Sequence, residues 1–304
     1  MSNTQNSTTQ QNKFSLLSHE EADELLAKVQ QQIAEQTFDT DNKELIQQMI
    51  ECMGDTRGMV RLYYAEALGK VGKPAIDLLI DALLHHSNVV VRRAAGKTIT
   101  LIEDPKAIPH LIHALLHDED TVVQSSAIGA LARMGQPAVE PLLEILASST
   151  STESHKGHCA WALAFIGAKA EKQLYAAYHS DSPEVRSAVV GAIAKVAEEN
   201  RQEKALNLLV ESLNDPAENV RSEAAAVLGN LKYQSAVPKL IELLEHSVGE
   251  TRKSSALSLM KIGDLNAIAP LKKALSKESE ERIKKAISLA ISLLEKQSED
   301  DDWD

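Results

Sequence analysis

The side chains of this chain with the clearest chemical potential are histidines, cysteines and one aromatic cluster. His110, His113 and His117 recur at the spacing of a single helix face, with His85 and His86 closing the preceding helical segment. Imidazoles in such an array are metal-ligand material. The same register holds Asp77, Asp81, Glu140 and Glu144 in neighbouring segments, which marks it as the solvent side. No cysteine or carboxylate is spaced to complete a ligand set, so no metal site is expected. Cys52 and Cys159 stand far apart without a CxxC pairing, which encodes neither a disulfide framework nor a zinc site and implies a reducing interior. No GxGxxG, Walker-type phosphate loop, HExxH or GxSxG occurs, and no catalytic residue is assigned.

What must position these residues is a repeat. A Val-Arg dipeptide or its relic recurs, its second position at Arg61, Arg92, Gln124, Lys156, Arg186, Arg221 and Arg252, with spacings of 31, 32, 32, 30, 35 and 31. Seven residues beyond each lies an aliphatic column: Leu68, Ile99, Leu131, Leu163, Ile193, Leu228 and Leu259. Three residues beyond, the occupants are mostly small, among them Ala95, Ala127, Cys159 and Ala224; ten beyond, they are again apolar. Offsets of 3, 7 and 10 share one face of a 3.6-residue helix, so that stripe is the core of the second helix in each unit. Preceding segments such as PAIDLLIDALLHH and PAVEPLLEILAS are amphipathic first helices, opened by Pro74, Pro109, Pro137, Pro238 and Pro270 in or near the first turn. Ser182, Asp215 and Ser247 (with Glu250) carry capping signals for second helices. The expected fold is all-α: a HEAT-repeat, right-handed α-solenoid of about eight helix pairs.

Positions on the opposite face of the second helices are polar or small in most units. The fourth unit differs, presenting His158, Trp161 and Phe165, with Gly129 and Gly191 in register with Trp161 on either side and Arg133 and Lys195 in register with Phe165. This pattern predicts a groove with Trp161 as a rigid anchor, glycines leaving room beside it and basic residues at its rim. The alternative is an irregular helix that buries Trp161 as filler.

Domain limits follow from composition. Residues 1–17 form a polar N-terminal tail, 18–297 the solenoid with a capping helix opened by Ser18 and Glu21, and 298–304 an acidic tail whose Trp303 is a candidate docking motif. A formal charge of −12 without a Lys/Arg block argues against nucleic acid. No uncharged apolar run reaches the length of a membrane span, so membrane insertion is not expected, and the residues read as those of a cytoplasmic protein.

The phrases VRLYYAEALGKVGKPAIDLLIDALLHHSNVVVRRAAGKT, EDTVVQSSAIGALARMGQPAVEPLLEIL and DSPEVRSAVVGAIAKVAEE resemble the HEAT-like repeats of cyanobacterial phycobilin lyases of the E/F type, over residues 42 to about 296. HKGHCAWALAFIGAKAEKQLY and the DDDWD ending resemble lyase-related bilin-biosynthesis proteins, and also a HEAT-repeat partner of an A-type iron–sulfur carrier. The resemblance implies phycobiliproteins or other phycobilisome components as partners, and a location at the thylakoid surface through that antenna. It implies a scaffold, chaperone or structural role, or alternatively a lyase subunit attaching a bilin to a phycobiliprotein cysteine. An iron–sulfur carrier is a further implied partner. No resident cofactor is expected; a bilin would be a transient ligand, its rings on Trp161 and Phe165 and its propionates on Arg133 or Lys195.

Overall fold

The computed structural model describes residues 17–200 and 202–301, and every regular element among them is helical. The described residues divide into two compact units, one ending at Met134 and the other starting at Gly135. In the first are α1 (His19–Ala34), α2 (Lys43–Cys52), α3 (Gly58–Val71), α4 (Ile76–His85), α5 (Val89–Ile102), α6 (Ile108–His117) and α7 (Thr121–Met134). The second holds α8 (Gln136–Ala147), α9 (Glu153–Ile166), α10 (Glu171–Ala177), α11 (Pro183–Asn200), α12 (Glu203–Glu211), α13 (Glu218–Asn230), α14 (Val237–Leu243), α15 (Gly249–Ile262), α16 (Ile268–Lys277) and α17 (Glu281–Asp301).

Within each unit the pairing expected from the repeat is present. In the first unit α4 packs on α5, α6 on α7, and the second helices α3, α5 and α7 pack in succession. In the second unit α9, α11, α13, α15 and α17 follow one another in the same way. The aliphatic column from Leu68 to Leu259 is wholly buried, which is the reason the helices bind one another. Three-residue 3-10 turns such as Lys73–Ala75 and Pro105–Ala107 lead into first helices, with proline where no N–H is needed. Second helices α9 and α15 end on Gly167 and Gly263, whose φ values of 49° and 81° lie where a side chain would be strained.

The periodic arginine acts as a staple. Arg92 Nη1 donates to His86 O, Arg186 Nη1 to Ser180 O and Asp181 O, and Arg252 Nη1 to His246 O and Ser247 O. Each guanidinium thus satisfies carbonyls of the turn before its own helix, groups a helix start cannot reach. The other edge reaches forward to the next turn: Arg92 to Asp118, Arg186 to Asp215 and Arg252 to Glu278. At the degenerate position Gln124 keeps the backward bond, donating to Asp118 O.

The first helix is capped as expected, with Ser18 and Glu21 forming a reciprocal capping box, and Tyr64 donates its hydroxyl proton to Ala22 O at 2.7 Å. Other caps differ. Ser247 makes no cap; α15 begins after Val248, and Glu250 pairs with Lys253 and Arg282 instead. Asp215 caps the turn before α13 rather than the helix, accepting from Ala217 N–H. The final helix runs from Glu281 to Asp301 and is anchored by the buried Ile287, Ile291 and Leu294.

Candidate functional site

The second unit contains a groove of about 560 Å³ built on the outward faces of α9, α11 and α13. Helix α9 supplies Trp161 because its core stripe is Cys159, Ala162, Leu163 and Ile166, all buried, which turns the intervening positions outward. Trp161 is 52% exposed and Phe165 50%, and their rings stack with centroids 5.6 Å apart at 29°. Helix α11 contributes Gly191 and Lys195, and α13 contributes Asn219, Glu223 and Asn230.

Trp161, Gly191 and Lys195 line the groove, and Phe165 supports the indole from outside the lining. The half-exposed ammonium of Lys195 pairs with Glu198 at 2.7 Å, one turn along the same helix. His158 lies off the groove, half-buried, with Nδ1 enclosed and without a hydrogen-bond partner among the described residues. The lining comes wholly from the second unit, so Gly129 and Arg133 are not part of it. Both lie on α7 in the first unit, where Gly129 borders open space and Arg133 pairs with Glu103 at 2.6 Å. Trp303 falls outside the described residues.

Several lining residues escaped the sequence reading. Lys156, the relic of the Val-Arg dipeptide, lies 3.8 Å from Glu153 and 4.0 Å from Glu184 at the groove wall. Glu223 is the most consequential. It sits two residues past Arg221, where the other units carry Tyr63, Ala94, Ser126, His158, Ala188 and Ser254, so a lone acid in that column was the available signal. Its carboxylate approaches the bare Cα of Gly191, and none of the described residues gives it a cation or a hydrogen bond. Burial alone pushes its carboxyl above the usual range.

The histidine cluster gathers in the first unit, where His85, His86, His113 and His117 line a cavity of about 390 Å³ with Arg92 and Asp118. His110 is not among them. The solvent-facing register does not extend to His86, whose side chain is largely buried against Glu51 at 3.1 Å. Carboxylates do reach this place, but they are engaged, Asp118 by Arg92 and Glu51 by His86. No group of three ligating side chains among the described residues is arranged to hold a metal ion. Cys52 and Cys159 are buried free thiols, and burial pushes Cys159 up to about 12. No helix among the described residues is long and apolar enough to cross a membrane.

These helix pairs define a class of protein, and comparison agrees: residues 76–153, 139–219 and 206–292 match the family described as HEAT repeats. The chain is 38% identical over 292 residues to bilin biosynthesis protein MpeU of Synechococcus sp. (strain WH8020), covering 96% of this chain and 98% of that one. It therefore belongs to the phycobilin lyase-like family of HEAT-repeat proteins. Among solved structures, the karyopherin Kap121p bound to Nup53p aligns with a TM-score of 0.57 at 15% identity, over 88% of this chain and 35% of that one. Importin beta in a polyethylene glycol condition aligns with a TM-score of 0.53 at 13% identity, over 91% and 48%. At such identities these likenesses bear on the fold alone.

Proposed function

We propose that this chain is a protein-binding scaffold of bilin biosynthesis, which uses the groove of its second unit to hold a phycobiliprotein or another phycobilisome component. The observation that carries the reading is an exposed, stacked Trp161–Phe165 pair beside an open groove, in a chain 38% identical to a bilin biosynthesis protein. Exposed aromatics at a groove are the usual anchors of protein docking, because they desolvate a large area with few rotors. The proposal places the protein in the cytoplasm, at the thylakoid surface through the antenna. The test is binding of purified phycobiliproteins to the wild-type chain and to Trp161→Ala. Capture that survives the substitution unweakened, or no capture at all, refutes it.

A second reading, a lyase subunit that transfers a bilin, draws support from the relative's name. It requires a bilin as transient ligand and substrate. Its test is incubation with apo-phycobiliprotein and free bilin, followed by denaturing electrophoresis for covalently attached colour. Docking of an iron–sulfur carrier, the third partner expected, would have to proceed without cysteine ligation, since both thiols are enclosed.

A further inference from the structure

The groove of the second unit carries an unmatched negative charge. Four carboxylates line it, Glu153, Glu184, Glu198 and Glu223, against two ammonium groups, Lys156 and Lys195. Both lysines stand nearest other carboxylates, Lys156 at 3.8 Å from Glu153 and 4.0 Å from Glu184, and Lys195 at 2.7 Å from Glu198. Glu223 is left over. It is half-buried, faces the same groove as Trp161, and no described residue donates to it.

The seat of that carboxylate is specific. A Cβ built on Gly191 would lie 2.9 Å from Glu223 Oε1, closer than such atoms ever approach, so Gly191 leaves the space the carboxylate occupies. An ionised carboxylate taken partly out of water without a partner is unfavourable in the free protein, and an incoming cation relieves that cost. An anionic ligand would meet the opposite situation, since the carboxylates of the lining outnumber its ammonium groups.

We propose that the groove receives an arginine side chain presented by a partner protein, its guanidinium paired with Glu223 and its plane or stem lying against Trp161. The proposal rests on the reading of the chain as a protein-binding scaffold. Arginine suits the site better than lysine for three reasons: the guanidinium is weakly hydrated and so is cheap to desolvate, its fork matches a carboxylate, and its flat face stacks on indole. The apolar wall of Ala160, Ala164 and Val227 takes the methylene stem.

Fluorescence tests this directly. The chain has two tryptophans, so Trp303→Phe leaves Trp161 as the sole indole reporter. Titration in that background uses acetyl-Ala-Ala-Arg-Ala-Ala-amide at millimolar concentration, with the isosteric neutral citrulline peptide and the lysine peptide as comparisons. The expected result is a saturable change with arginine, weakened about tenfold or more by citrulline or by Glu223→Gln. Gly191→Ala, which displaces the carboxylate by another route, should weaken it too. Circular dichroism confirms that both variants fold. No saturable response, equal response to citrulline or lysine, or indifference to Glu223→Gln overturns the proposal. If the arginine response holds while wild-type chain captures no phycobiliprotein, the phycobiliprotein reading falls and the arginine site stands. Capture that Glu223→Gln leaves intact, with no arginine response, has the reverse meaning.

Discussion

Glu223 and Gly191 occupy one space: the carboxylate oxygen lies where a side chain on the glycine would begin, with 2.9 Å between Oε1 and the built Cβ. The glycine in register with Trp161 therefore makes room not for the indole but for an acid from the next helix. Because the crowding atom is the end of a flexible side chain, Gly191→Ala should leave unfolding nearly unchanged, with the carboxylate swung aside. Partner affinity, measured by titration calorimetry, should fall.

The same carboxylate should weaken the fold at neutral pH. Its folded-state pKa is raised by burial, so the native state holds the proton more tightly than the unfolded chain does. Its contribution to stability is fully present below the ordinary value of 4.5 and is lost as pH rises through the folded value. Glu223→Gln should accordingly raise the urea midpoint at pH 7, and the gain over wild type should vanish near pH 4.

Glu278 should behave in the opposite sense. Arg252 binds both its oxygens, at 2.7 and 3.0 Å, and holds its carboxyl down at about 2. That stability is present above 4.5 and lost as pH falls from there towards 2. Arg252→Ala should lower the melting temperature by several degrees at pH 7, and Glu278→Gln should flatten the acid side of the stability profile.

Neighbouring positions on α9 should separate binding from folding. Leu163 is fully buried and Trp161 half exposed. Leu163→Ala should cost roughly 2–5 kcal/mol in urea unfolding. Trp161→Ala should cost little stability while weakening partner capture; reversed outcomes would mean that α9 is turned the other way.

Both cysteines should resist modification in the native chain. Each is buried, and burial raises both thiols, Cys159 to about 12. A thiol-reactive dye should label neither at pH 8 without denaturant, and both in urea; rapid native labelling would show that the helix pairs open.

Sequence alone determined the helix pairs, because core burial in a repeat depends on periodicity and periodicity is local. The column from Leu68 to Leu259 and the Ser18 capping box follow from spacing within one helix, while the outward placement of Trp161 and Phe165 was one of two readings that the same spacing allowed. What only the tertiary structure decided is which charges meet. Glu223 belongs to a different repeat from Trp161, and Arg133 is drawn to Glu103, thirty residues back. Ser247 makes no cap because α15 starts after Val248, one residue later than the Ser247 register requires. Long flexible side chains choose partners by distances across helices that a one-dimensional register does not contain, and so of the two basic residues expected at the rim Lys195 lines the groove while Arg133 is paired elsewhere.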